Sequence, residues 1–251
     1  MNWKSRTQLL VGEEGVKKLA DSHVLVVGLG GVGAYAAEQL ARAGIGKLTI
    51  IDCDTVNVTN KNRQLLALDS TLGRPKVEVM AERIRDINPD VEVIAINQYL
   101  KDQPIIDLME QKFDFVVDAI DTLAPKVFLL YYAVQNKQNI VSCMGAGGKF
   151  DPTKIEIDDI SKSHNCRLAF YIRKRLHRLG IREGITVVFS PEKVAESAVS
   201  IEEATENKIA TVGTLSYMPA IFGCFCASHV INSLLRRQDD KTTRQQDNKI
   251  D

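Results

Sequence analysis

The chain has 251 residues, 45% of them apolar, and equal numbers of basic and acidic side chains at 32 each. That length suits one α/β domain or a large domain with a small appendage, and the zero net charge excludes any global electrostatic argument for nucleic acid or membrane, leaving only local clusters to make one. Five scattered cysteines with no Cys-x-x-Cys pair exclude a disulfide framework and a thiolate zinc site, and the absence of a signal-like leader or a long apolar run leads us to expect a cytoplasmic protein with no membrane partner.

In chain order, "EGVKKLAD" reads as the end of a short helix and "HVLVVG" as a buried strand. The turn "GLGGVG" opens the helix "GVGAYAAEQLARAG", closed by Gly44, and "KLTIID" is the next strand, completing a βαβ unit. "RPKVEVMAERIRDINPD" is a helix with Val77, Met80, Ile84 and Ile87 at helical spacing, followed by the strand "VEVIAINQYL". Helix "PIIDLMEQ", strand "FDFVVDAI", helix "APKVFLLYYAVQNK" and strand "NIVSCMGAGG" continue the alternation. The pattern predicts a Rossmann-like α/β fold: a doubly wound, mainly parallel sheet with helices on both faces, whose ligands sit at the carboxyl ends of the strands. Beyond it come a basic helix at about 161–182, a strand "ITVVFS", a polar acidic loop and an apolar helix at about 217–235. We expect one domain over 1–237 with this C-terminal extension, and a disordered tail at 238–251.

Gly28, Gly30 and Gly33 follow a strand and open a helix, and Asp52 lies nineteen residues after Gly33 at the next strand's end. Such a turn brings helix amides to a phosphate, and such a carboxylate accepts from ribose hydroxyls. An NAD enzyme would continue with an adenine-side loop and a substrate domain. This chain instead sets Asn60, Asn62, Arg63 and Gln64 after Asp52, with Lys76 opening a helix. Arg63 and Lys76 can both face a phosphate chain, which suits a triphosphate. Asp118 and Asp121 close the following strand; a magnesium ion is assigned to Asp121 with Asp118 in support, although either carboxylate can instead cap the helix after Thr122.

"GLGGVG", "IDCDTVNVTNKNRQ", "LGRPKVEVMAERI", "INPDVEV" and "DAIDTLAPK" together resemble the ThiF/MoeB superfamily of ubiquitin-activating-enzyme-like adenylyltransferases, over roughly residues 5–235. The resemblance implies Mg-ATP as cofactor and coupling of a substrate carboxylate to AMP. It implies that Gly28, Gly30, Gly31, Gly33, Asp52, Asp54, Asn60, Arg63, Gln64, Lys76 and Asp121 form the ATP site, with Asp121 the Mg²⁺ ligand. It further implies a homodimer in which Arg6 crosses to the partner's ATP, so that Arg6, Arg63, Lys76 and Asp121 carry catalysis. "SRTQLLVGEEGVKKLADSHVLVVGLGGVG", "GAGGKFDPTKIEIDDISKS" and "GTLSYMPAIFGCFCASHVI" resemble the tRNA threonylcarbamoyladenosine dehydratase family within it. That implies tRNA carrying threonylcarbamoyladenosine as substrate, activated at its carboxylate and then cyclised with loss of water. Asn165 and Cys166 stand where bacterial members carry Asp-Pro, and 190–212 is short, acidic and without cysteine. No sulfur transfer or thioester cysteine is therefore expected.

The basic helix points to RNA independently. Between Ser161 and Arg182 there are seven Lys or Arg residues and no Asp or Glu. An apolar stripe of Leu168, Ile172, Leu176 and Leu179 leaves Arg167, Arg173, Lys174, Arg175 and Arg178 as the candidate phosphate contacts, with Tyr171 beside them. Cys143, Cys224, Cys226 and His229 read as structural, and His164 and His177 as phosphate contacts. The competing readings are an adenylyltransferase acting on the C-terminal glycine of a ubiquitin-like sulfur carrier, a non-enzymatic nucleotide-binding scaffold, and an NAD oxidoreductase.

Overall fold

The computed structural model describes residues 3–203 and 208–236; the expected tail at 238–251 lies outside them. Helix α1 (Ser5–Ala20) leads to β1 (His23–Val27), α2 (Gly33–Ala43) and β2 (Lys47–Asp52). Then come α3 (Lys76–Ile87), β3 (Glu92–Asn97), α4 (Gln103–Glu110), β4 (Phe115–Asp118), α5 (Leu123–Gln135) and β5 (Ile140–Cys143). The second half adds β6 (Glu156–Asp159), α6 (Arg167–Arg178), β7 (Thr186–Phe189), a hairpin of β8 (Val199–Glu203) and β9 (Lys208–Val212), and α7 (Tyr217–Arg236).

Seven strands form one sheet in the order β3-β2-β1-β4-β5-β7-β6, parallel except for β6 against β7. The pleat sorts the core. Val24 and Val26 of β1 pack with α2, α3 and α7 on one face, while Leu25 and Val27 pack with α4, α5 and α6 on the other. Such two-sided burial is why the strands read as continuous apolar runs. The chain order reverses between β1 and β4, so the crevice at their carboxyl ends is the switch point at which such sheets bind ligands.

Four expectations are corrected. The first helix is not short: α1 runs sixteen residues and bends at Gly12, whose φ of 73° only glycine adopts readily. A strand, β6, lies inside what read as a plain link, and the expected acidic loop contains the β8–β9 hairpin. The expectation that no apolar window is membrane-length fails at α7, which is long and apolar enough by length and composition alone. Its apolarity has a local cause: Met218, Phe222, Cys226, Val230 and Leu234 are buried in the core that α2 and the sheet share. As expected, Gly44 ends α2 in the left-handed conformation, at φ 91°.

Candidate functional site: an ATP crevice beside a basic helix

The glycines divide into two roles. A Cβ on Gly28 would stand 2.8 Å from the Ala119 carbonyl oxygen, and one on Gly33 would overlap the Gly28 carbonyl. Both are therefore required for β1, β4 and the start of α2 to close up. Gly30 is different: a Cβ there would meet only Gln64 Nε2, at 3.8 Å, so this glycine leaves open space above the turn. Gly31 lies against Pro219 and the Arg63 backbone and stem. The loop bearing Asn60, Arg63 and Gln64 thus folds over the glycine turn.

Asp52 holds that turn from the other side. Its carboxylate accepts from the Leu29 N–H at 2.6 Å and the Asp54 N–H at 2.8 Å, and it stays half-buried with lone pairs to spare. Asn60 closes a reciprocal cap with Asn57, accepting the Asn57 N–H at 3.0 Å. Arg63 Nη1 donates to the Thr59 carbonyl at 3.1 Å and to Asn62 Oδ1 at 2.8 Å. Asp54, expected among the nucleotide contacts, is the partner of Lys76: Nζ lies 2.8 Å from its carboxylate, the lysine side chain 5% exposed and the aspartate 63%. A stem buried to that degree aims its ammonium along one line.

The carboxylates after β4 also separate. Asp118 is fully buried, 2.7 Å from the buried Lys126 ammonium, and accepts the Ser142 hydroxyl at 2.6 Å. Walled in, it has no path to a metal ion, so its expected support of magnesium is corrected to a structural one. Neither carboxylate caps α5, whose N-cap is Thr122 without a side-chain bond. Asp121 is exposed, leaving a carboxylate open for a hydrated cation. Asp52, Cys53 and Asp54 also cluster within 4.8 Å, but backbone amides and Lys76 already take up the charge there. Arg6 is not brought to this crevice: α1 begins where Lys4 lies against Gly44 and pairs with Asp90, at the amino ends of β2 and β3 and so at the opposite end of the strands.

Helix α6 starts at the exit of β5, where Gly145 lies against Cys166. It buries Ala169, Ile172 and Leu176, with Leu168 half-buried; Leu179, expected in the stripe, is exposed. Arg167, Lys174, Arg175 and Arg178 face solvent. Arg173 does not join them. Its Nη1 donates to the Ser163 carbonyl at 2.7 Å and to the Ser163 hydroxyl, so it ties the helix to the preceding turn.

A ThiF-family model matches residues 5–249. The chain belongs to the ThiF family. A tRNA threonylcarbamoyladenosine dehydratase of Bacillus subtilis is 38% identical over 239 residues, covering 92% of this chain and 94% of its own length. The crystal structure of the Escherichia coli enzyme of that name in complex with ATP superposes with a TM-score of 0.86 at 38% identity, over 97% of both chains. A molybdopterin-synthase adenylyltransferase of Escherichia coli is 42% identical, but over 111 residues, 44% of each chain.

In this ThiF-family chain three groups have no counterpart in the sequence reading. Lys126 is one; a lysine directly before the apolar run "VFLLYY" of its otherwise uncharged helix was the available signal. Lys149 is another, its buried ammonium donating to the carbonyls of Ser190 at 3.1 Å, Asn165 at 3.4 Å and Glu192. Burial lowers its pKa. Glu192, the third, accepts the N–H groups of Phe150 and Asp151. The cysteines are free. Exposed Cys53 is held in its thiol form by partial burial and by Asp54 and Asp52, and Cys226 still more firmly by a hydrogen bond with the Cys143 thiol and by burial, so neither suits a thiolate nucleophile. His229 packs edge-on against Phe115, and burial lowers its pKa.

Proposed function

We propose that this chain is an ATP-dependent tRNA threonylcarbamoyladenosine dehydratase. The carboxylate of the threonylcarbamoyl group beside the anticodon attacks the α-phosphorus of ATP, forming an acyl-adenylate and releasing pyrophosphate. A nitrogen of the modification's own urea then attacks the acyl carbon and AMP leaves, so the nucleoside loses one water overall. The observation that carries this reading is that the basic helix α6 begins beside the exit of β5, on the carboxyl side of the sheet where the crevice also lies. The sulfur-carrier alternative gives no reason for such a helix.

Joining a carboxylate to a polyphosphate brings anions together, so the chain's main task is fixed positive charge. Arg63 and Lys76 supply it, Asp54 aims Lys76, Asp52 takes the ribose, and Gly30 leaves room for the phosphates. Bound magnesium would neutralise phosphate oxygens, and Asp121 is the carboxylate placed to hold it. The functional unit is a homodimer. Arg6 is exposed far from its own crevice, and Leu9 and Leu10 beside it are 88% and 86% exposed, an apolar face that a second copy would cover. Residues 1–237 act as one adenylation domain, α7 is a core helix, and the enzyme works in the cytoplasm.

The test is to incubate the protein with ATP, magnesium and tRNA bearing threonylcarbamoyladenosine, then digest and weigh the nucleosides. Loss of one water together with AMP is the expected result. Unchanged tRNA alongside AMP transfer to a ubiquitin-like sulfur carrier would sink the reading.

A further inference from the structure

The segment after β5 carries an aromatic ring that the fold does not bury. Phe150 is 63% exposed, yet its backbone is clamped. Its N–H donates to the Glu192 carboxylate at 3.3 Å, and its carbonyl accepts the Tyr217 hydroxyl at 2.8 Å. One residue earlier, Lys149 is pinned to the carbonyls of Asn165, Ser190 and Glu192. An exposed ring contributes little to stability, and one on an immobilised backbone loses little freedom when something docks on it.

Its surroundings say what docks. Asn165, bonded to Lys149, stands two residues before Arg167, whose guanidinium lies 5.8 Å over the Tyr171 ring. Tyr171 in turn meets Phe170, 53% exposed, edge-on at 5.3 Å. On the other side, Tyr217 closely follows Thr214, whose carbonyl accepts the Asn62 amide at 3.1 Å, next to Arg63. Phe150 is thus linked by single hydrogen bonds and short stretches of chain both to the basic helix and to the arginine loop of the ATP crevice. Exposed rings interleaved with cations are the chemistry of single-stranded RNA recognition, in which bases stack and phosphates pair.

We infer that Phe150 is a stacking platform for an unpaired base of the anticodon loop next to the modified adenosine, with Tyr171 and Arg167 a second platform along α6. This rests on the RNA reading above and deepens it. The platform accepts any base, because every base has a π-face, and it holds the loop so that the modification reaches the crevice.

The test uses full-length protein and an anticodon stem-loop carrying threonylcarbamoyladenosine, with affinity measured over a range of salt. Phe150→Ala should weaken binding about tenfold or more. The slope of log affinity against log salt should not change, since no phosphate contact is lost. Phe150→Trp should restore binding and Phe150→Leu should not, because stacking needs the ring and not its bulk. ATP affinity should be unchanged, and the KM for RNA should rise while kcat at saturating RNA holds. Full affinity in Phe150→Ala, full rescue by leucine, or a flatter salt slope would each overturn the platform. A wild-type protein that neither binds nor dehydrates the RNA overturns instead the function on which the platform depends.

Discussion

The half of the sheet from β1 to β4 and the helix α6 that follows β5 treat charge in opposite ways. In the first, charged groups turn toward one another: Asp52 onto the Leu29 and Asp54 amides, Lys76 onto Asp54, Lys126 onto Asp118, Glu38 onto Arg83 and Arg42. On that helix Arg167, Lys174, Arg175 and Arg178 stay in water, and of the five only Arg173 turns inward. A site for a small anion of fixed shape gains from charges already oriented before it arrives. A surface for a flexible polyanion gains from hydrated charges that displace its counterions. The two regions should therefore fail differently, the first in stability or turnover and α6 in salt-dependent affinity.

The sharpest way to break the comparison lies at Lys126. Lys126→Ala leaves the fully buried Asp118 carboxylate unpaired and should cost about 3–5 kcal/mol in urea denaturation; a loss under about 1 kcal/mol would show that the pairing matters little. Arg63→Ala comes next, because it removes an oriented cation without opening the core. Turnover should fall about 10²–10³-fold, comparable to deleting one preorganised donor, while stability changes by about 1 kcal/mol or less. Comparable losses of stability in both variants would erase the distinction between pinning residues and phosphate residues.

Helix α6 offers a comparison inside one element. Replacing Lys174, Arg175 and Arg178 together by alanine should lower the salt slope of tRNA binding by about two to three, at about 0.7–0.9 per phosphate contact. ATP affinity should be untouched. Arg173→Ala should leave that slope alone and instead loosen the α6 junction with Ser163, lowering the melting temperature. A slope that responded to Arg173 as strongly as to the other three would mean that the inward bonds open when RNA binds.

The features that could be read from the sequence are those with a local cause. Gly33 is forced by its close approach to the Gly28 carbonyl within a single turn, Gly44 by a helix end, and the α6 faces by alternation of Ile172 and Leu176 with Lys174, Arg175 and Arg178. What escaped depends on partners distant in the chain. Lys149 meets Glu192 forty-three residues on, and nothing in "GGKFDP" marks its ammonium as buried. Arg173 is, by spacing, another cation on a basic helix; only the Ser163 turn folded beneath it distinguishes it from Lys174. The β8–β9 hairpin was obscured because its strands lie in a stretch rich in Glu and Lys, where charge outweighs the period-two pattern.

The smallest expected effect concerns Glu38, which joins α2 to α3 within the inward-turned half. Burial alone would raise its pKa, but hydrogen bonds from Arg83 and Arg42 outweigh burial and leave it below the usual carboxylate value. A carboxylate with its folded pKa below the unfolded one contributes stability above the unfolded value, near 4.5, and that contribution disappears as pH falls through the folded pKa. Glu38→Gln should therefore cost about 1 kcal/mol at neutral pH, the modest size reflecting two arginines that remain part-exposed and screened. The cost should shrink in high salt, and toward acid pH it should vanish, because the protonated wild-type side chain then differs little from glutamine. Denaturation midpoints for the two proteins should converge below about pH 4. Curves that stay parallel across that range would mean that the arginines do not hold the carboxylate in its charged form, and that in this part of the first half the pairing adds nothing to stability.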